Sequence, residues 1–278
     1  MIKKYIKYQS KKDPSYKTGN KKPAKKKQFG QHFLRKQSVV DNMIEKVKIT
    51  PKTTIMEIGC GDGFLTRSIL LQTNCKKLIV FEIDEQWANV VKNEIKDPRL
   101  NINIENILDV DLQTLQKETP LVLLANLPYQ ITFPIMFLLQ KNKELFSEGV
   151  VMIQEEVAQK IVAKRGRPYS AASLFLQYHF KFELMEKVGP ENFAPPPKVN
   201  SRLLYFKPKL NVPKIKNEEE FWKFLKLCFK FPRRTLQNNL KTTHYDLNET
   251  APEILKLRAQ QVSFEQFLDL WNLLNIKN

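Results

Sequence analysis

Three short stretches place polar or glycine residues where apolar strand runs would otherwise end in plain turns. Gly59-Cys60-Gly61-Asp62-Gly63 follows the run Ile55 to Ile58, Phe81-Glu82-Ile83-Asp84 closes the run that starts at Leu78, and Asn126-Leu127-Pro128-Tyr129 follows Leu121 to Ala125. Glycines at a strand-to-helix turn let the backbone approach a ligand and take torsions that other residues avoid. Glu82 stands 23 residues after Gly59, where an acidic side chain can accept hydrogen bonds from both hydroxyls of a ribose. Together they predict an adenosine-containing cofactor. The G-x-G-x-G spacing at Gly59, Gly61 and Gly63 suits S-adenosylmethionine better than the G-x-G-x-x-G of a dinucleotide site, although spacing alone leaves a nicotinamide cofactor open.

Asn126 fits chemistry on an exocyclic amine next to such a cofactor. An adenine amine is a poor nucleophile because its lone pair is delocalised into the ring. A side-chain carbonyl and a backbone carbonyl that both accept its hydrogens favour the pyramidal, localised form and hold the nitrogen in line with a methyl group. Pro128 stiffens the turn, and Tyr129 offers a ring on which a base taken out of its helix can stack. Asn126, Leu127, Pro128 and Tyr129 are therefore the candidate catalytic residues, and no general base is evident among them.

These residues need a sheet to hold them, and the pattern supplies one. Apolar strand runs at Ile55 to Ile58, Leu78 to Ile83, Leu121 to Ala125 and Val150 to Ile153, with an alternating run at Asn101 to Ile104, are interleaved with helical patterns at Phe64 to Leu71, Glu85 to Ile95, Pro134 to Gln140 and Glu155 to Ala163. Such alternation predicts an α/β domain with a mostly parallel sheet, whose ligands sit at the carboxyl ends of the strands. The Pro-rich run Phe193 to Pro197 precedes a late strand, Arg202 to Phe206. From about Asn217 the apolar spacing becomes helical, and Ser263 reads as a helix start. The expected division is a basic arm over residues 1–28, a catalytic domain over 29–210 and a small all-helical domain over 211–278.

The net charge of +17 favours a polyanionic partner, with nucleic acid first, because each neutralised phosphate releases condensed cations. Residues 1–28 carry eleven lysines against the single acid Asp13, with too few apolar residues to build a core, and are expected to be a disordered arm. No apolar run approaches the roughly 20 residues that span a bilayer. Cys60, Cys75 and Cys228 are odd in number, widely separated and without C-x-x-C spacing, which points away from a disulfide framework or a zinc site; no metal and a cytoplasmic location are expected.

Taken together, the motifs resemble those of the ribosomal RNA adenine dimethyltransferases that act on small-subunit rRNA. The resemblance runs from Phe29 to about Leu274 through FGQHFL (Phe29 to Leu34), MEIGCGDGFLT (Met56 to Thr66), FEID (Phe81 to Asp84), ANLPYQIT (Ala125 to Thr132), IQEEVAQKIVA (Ile153 to Ala163), FAPPPKVNSRL (Phe193 to Leu203) and RRTLQNNL (Arg233 to Leu240). It implies a class I S-adenosylmethionine-dependent methyltransferase fold, Rossmann-like, with a helical C-terminal domain that helps hold rRNA. It also implies dimethylation of N6 on two adjacent adenosines of small-subunit rRNA within a pre-ribosomal particle, by a monomer. By the same resemblance His32, Leu34, Gly59, Gly61, Glu82, Asn106 and Asn126 would meet the cofactor, Phe193 would join Tyr129 around the target adenine, and Arg233 and Arg234 would contact rRNA phosphates.

Asn106 replaces the family's usual aspartate at the cofactor adenine, and Asp109 could compensate only through a rearranged loop; Gln130 and Glu155 also depart from the common pattern. Two other readings stay open on sequence: the related large-subunit rRNA adenine methyltransferase of the macrolide-resistance type, and a non-catalytic RNA-binding assembly factor.

Overall fold

The computed structural model describes residues 32–248 and 250–274, so the expected basic arm lies outside the described residues. In chain order the strands are β1 (Phe33–Leu34), β2 (Thr54–Ile58), β3 (Lys77–Glu82), β4 (Leu100–Ile104), β5 (Leu121–Asn126), β6 (Phe146–Gln154), β7 (Phe180–Val188), β8 (Phe193–Ala194) and β9 (Ser201–Pro208). Seven of them form one sheet in the order β4-β3-β2-β5-β6-β9-β7. The first five of that order are parallel, and β9 runs antiparallel to both β6 and β7. β1 and β8 pair with each other in a separate antiparallel ribbon.

The period of two along each strand sorts side chains to two covered faces, as buried parallel strands require. Met56, Ile79, Leu123, Val151 and Leu204 pack toward helices α4 (Thr132–Lys141), α5 (Glu155–Val162) and α6 (Ala171–His179). Their neighbours Ile55, Leu78, Val122, Val150 and Leu203 pack toward α1 (Gln37–Lys46), α2 (Phe64–Gln72) and α3 (Glu85–Glu94).

A third apolar cluster belongs to α7 (Glu218–Cys228), α8 (Leu236–Leu240), α9 (Pro252–Leu255) and α10 (Phe264–Leu274), with Phe221, Phe224, Phe267 and Trp271 at its centre. It extends onto α6, whose Leu174 and Tyr178 join it while Leu176 packs toward the sheet. The Trp222 ring of α7 lies edge-on to Phe175 of α6, with centroids 4.9 Å apart. Ser263 caps α10 as its position predicts: its hydroxyl accepts from Gln266 N at 3.2 Å, and the Gln266 side chain accepts from Ser263 N at 2.9 Å.

Elements beyond the expected alternation are α1, α6, β7 and the β1–β8 ribbon. α6 runs straight into β7, with His179 closing the helix and Phe180 opening the strand, so no glycine, proline or polar turn marks the boundary. β7 is an edge strand with a register shift between Leu184 and Lys187, which breaks its alternation.

Candidate active site

Parallel pairing brings the chemistry together. Ile58 of β2 pairs with Phe81, and Glu82 of β3 pairs with Ile104, while β5, on the other side of β2, ends at Asn126. The residues that follow these strand ends therefore emerge along one edge of the sheet and enclose a cavity of about 320 Å³. Its lining includes His32, Leu34, Glu57, Gly59, Gly61, Glu82, Asn106, Asn126, Leu127, Pro128 and Tyr129.

The glycine turn is fixed by its backbone. Gly59 and Gly61 have φ of +76° and +51°, the left-handed region that side chains disfavour. A Cβ at Gly59 would meet nothing within 4 Å, whereas one at Gly61 would stand 2.8 Å from the Phe33 ring. Phe33 is held there by an edge-to-face contact with buried Trp87, centroids 4.9 Å apart. The Glu82 carboxylate is locked beside this turn: one oxygen accepts from Gly61 N at 3.1 Å and the other from Asp84 N at 2.8 Å. Burial pushes the Glu82 carboxyl above its ordinary range, against the opposing pull of these two N–H groups.

Asn126 is oriented from outside its own strand. Its Nδ2 donates to the His32 carbonyl at 3.0 Å, and no hydrogen bond among the described residues occupies its Oδ1. Leu127 N donates to Met152 O at 3.1 Å, which anchors the turn to β6. The Tyr129 ring stacks on the His32 ring, centroids 5.8 Å apart and 25° between planes, and its hydroxyl is 2.7 Å from Ser201 Oγ. His32 Nδ1 in turn lies 2.9 Å from Pro195 O, so the β1–β8 ribbon ties the FGQHFL and FAPPP motifs together at the cavity.

The remaining candidates fall in different places. Asn106 lines the cavity, with its Oδ1 accepting from Leu108 N at 3.2 Å and its Nδ2 donating to Asp109 at 2.8 Å. Asp109 thus fixes the Asn106 amide but does not itself line the cavity, so a contact of its own with the cofactor's adenine would still need the loop rearrangement that the sequence suggests. Phe193 pairs with Leu34 across the ribbon, is 4% exposed and packs in the core beneath α1 and α2; its ring is not part of the cavity lining. Arg233 and Arg234 are exposed just before the Thr235 cap of α8, with the Arg234 guanidinium 4.4 Å from the centroid of the Phe231 ring. In the same motif Asn239 is structural, since its buried amide donates to Cys228 O at 2.8 Å. Glu155 forms a two-pronged pair with Arg202 of β9, at 2.6 and 2.9 Å, and this contact accounts for an acid at that position. Gln130 is an exposed part of the cavity rim.

Sequence reading assigns no role to Glu57, although it stands within the MEIGCGDGFLT stretch, because it lies inside an otherwise apolar strand. It is fully buried, its Oε2 accepts from Thr66 Oγ1 at 2.8 Å, and it lines the cavity. The anchoring roles of Phe33 and Trp87 are likewise invisible without the fold.

The family profile described as ribosomal RNA adenine dimethylase matches residues 22–275. A curated relative from Chlorobium phaeobacteroides, ribosomal RNA small subunit methyltransferase A, is 36% identical over 249 residues, covering 89% of this chain and 90% of the relative. A protein of the same name from Mesomycoplasma hyopneumoniae is 40% identical over 220 residues, 79% of this chain and 82% of its own. Among solved structures, a dimethyladenosine transferase from Plasmodium falciparum superposes with a TM-score of 0.73 at 26% identity, covering 88% of this chain and 98% of that one. The 23S rRNA methyltransferase ErmE shares the fold, with a TM-score of 0.68 at 21% identity over 87% of this chain and 99% of its own. With its methyltransferase sheet, its cavity at the strand ends and a match across nearly its whole length, the chain belongs to the ribosomal RNA adenine dimethylase family.

Proposed function

We propose that this enzyme transfers methyl groups from S-adenosylmethionine to N6 of two adjacent adenosines near the 3′ end of small-subunit rRNA, acting as a monomer on a pre-ribosomal particle in the cytoplasm. The observation that carries the reading is the tethered Asn126 amide: the His32 carbonyl occupies its N–H side, which leaves the carbonyl side to accept from an amine.

The cavity suits the cofactor. Its volume of about 320 Å³ is within the usual range for small-molecule sites. The open space above Gly59 supports a place there for the methionine part, and the Glu82 carboxylate, held by Gly61 N and Asp84 N, would accept from ribose hydroxyls. Asn106 Oδ1 keeps a second lone pair for the cofactor's adenine amine. When bound, S-adenosylmethionine supplies a methyl group on a positively charged sulfur. Asn126 Oδ1 and the Leu127 carbonyl would take the two hydrogens of the target amine, turning its lone pair toward that methyl. After transfer the nitrogen is a strong acid, and its proton leaves to water. Tyr129 supplies a stacking face for the adenine. A base seated there would displace or join His32, which now covers the ring. For Phe193 to complete a sandwich, its ring would have to leave the core.

Labelled S-adenosylmethionine, offered with unmethylated small-subunit particles, large-subunit rRNA or DNA and followed by nucleoside analysis, tests the reading. The expected product is N6,N6-dimethyladenosine in small-subunit rRNA alone. Asn126→Ala is expected to lower transfer by a factor of at least about 100, the usual loss for one preorganised acceptor or donor, while cofactor binding stays within about tenfold. Transfer to large-subunit rRNA, or undiminished transfer by Asn126→Ala, would overturn it.

A further inference from the structure

Of the cavity-lining acids that the proposed chemistry leaves unused, Glu57, Asp62 and Glu105, Glu57 is the one that is fully buried. Its Oε2 is held by Thr66, but Oε1 is closed off from solvent and has no hydrogen-bond partner among the described residues. Among the described residues, the groups around it offer no positive charge. Thr66 of α2 is neutral, Val80 of β3 is its strand partner, and the Cys60 thiol and the Glu82 carboxylate flank it, with Asp84 behind Glu82. His32, Asp62 and Glu105 are the other titratable groups of the lining apart from Tyr129, and Asp62 is already paired with Arg35 at 2.6 Å. None of the ion pairs among the described residues includes Glu57.

A bare carboxylate in such a place is costly, so the neutral acid is favoured. Burial, with a smaller contribution from the Glu82 charge, pushes the Glu57 carboxyl up to about 8. The cofactor reverses that balance. S-adenosylmethionine carries a sulfonium and an ammonium against one carboxylate, a net positive charge, whereas S-adenosylhomocysteine lacks the sulfonium. A positive charge entering a cavity of low dielectric favours the ionised form of an acid in its wall.

We propose that Glu57 is a proton-linked partner of the cofactor's charge: it is neutral in the free enzyme and ionises when S-adenosylmethionine binds. The inference rests on the cofactor reading above. The proton balance is simple, since the Glu57 O–H bond breaks, the proton goes to solvent, and no other bond changes. Once the sulfonium has been spent, Glu57 regains a proton from solvent. The site thereby discriminates between methyl donor and spent product by charge.

Titration calorimetry of the full chain, run at pH 7 in two buffers of different ionisation enthalpy, counts the protons released. The wild type is expected to release close to one proton more with S-adenosylmethionine than with S-adenosylhomocysteine, and Glu57→Gln is expected to abolish that difference while still binding the donor. The ligands' α-amino groups titrate alike with both proteins and cancel in the wild-type-to-variant comparison. Between pH 6 and 8 the donor Kd of the wild type should fall by up to about tenfold per pH unit relative to the variant. As a readout independent of the variant's folding, the wild-type Glu57 carboxyl carbon should show a protonated NMR shift without ligand at pH 7 and an ionised shift with S-adenosylmethionine. Donor binding with equal proton counts in both proteins, or a carboxyl signal unmoved by the donor, would overturn the proton linkage alone. Failure of the wild type to bind S-adenosylmethionine would overturn the cofactor reading with it.

Discussion

A methyl group added at Gly59 and one added at Gly61 meet different surroundings. Both positions have positive φ, so alanine at either should cost about 1–2 kcal/mol of backbone strain. At Gly61 the new Cβ also collides with Phe33, whose ring is wedged against Trp87, and overpacking of this kind adds about 1–3 kcal/mol. At Gly59 it projects into the open cavity. Thermal melts should therefore show the larger loss for Gly61→Ala, and calorimetry should show weakened S-adenosylmethionine binding for Gly59→Ala in a protein that remains folded. A Gly59→Ala variant that binds the cofactor as tightly as the wild type would remove Gly59 from the ligand's footprint. The same residue-scale distinction separates two acids of the cavity. Glu82 ends a strand ahead of a helix cap, where its type and distance from Gly59 announce a ligand. Glu57 interrupts an apolar run, and only the packing of α2 against β2 reveals that Thr66 meets it and that its second oxygen is left alone.

At the scale of elements, the pair between α5 and β9 shows how a departure from a family pattern is accommodated. Glu155 and Arg202 have side chains 22% and 19% exposed, and their mutual hydrogen bonds hold the Glu155 carboxyl below its ordinary range and the Arg202 guanidinium above its own. Glu155→Lys would set two cations against each other at the end of β6. It should destabilise the fold by about 2–3 kcal/mol, read from denaturant midpoints, and Arg202→Glu in the same chain should recover part of the loss. Unchanged stability of the single variant would show the pair to be dispensable.

Elements differ in how openly the sequence declares them. β2, β3 and β5 are legible because a parallel strand buried on both faces reads as a largely apolar run, interrupted in β2 by Glu57, and because glycine, acid or amide stands at each end. α1 carries its signal in Val39, Val40, Met43 and Ile44 at helical spacing, yet the motif-bearing segments on either side draw attention away from it. The α6–β7 junction has no turn chemistry to read, and the two-residue β1 and β8 are too short for any periodicity. Their pairing joins residues remote in sequence, which local pattern cannot encode.

Across the whole molecule, the positive charge is a property of the surface and the apolar clusters are a property of the interior. Arg233 and Arg234 stand at the entrance to α8, Arg234 alongside the ring of Phe231, whose backbone is held by Asn239. If both contact phosphates, the double alanine variant should weaken rRNA binding uniformly and reduce the slope of log K against log salt by roughly 1.5–2, with S-adenosylmethionine binding unchanged. Filter binding across a salt series would decide this, and an unaltered slope would place the contacts elsewhere. Because α6 belongs to both the sheet's core and the cluster of the C-terminal helices, a displacement of those helices is felt at the sheet through Phe175 and Trp222. The ribbon at the cavity has a different reach, one set by the order of synthesis. His32 and Pro195 are 163 residues apart, and Leu34 waits for Phe193. A growing chain can have β2, β3 and β5 in place, with glycines and acids aligned, and still lack the strand that holds His32 over the site. Since His32 in turn orients Asn126, the last contact of that tether, from Pro195, is made only after about seven-tenths of the chain has been synthesised. If Asn126 binds the target amine as proposed, competence to methylate is expected late in translation, after the glycine turn and Glu82 are in place.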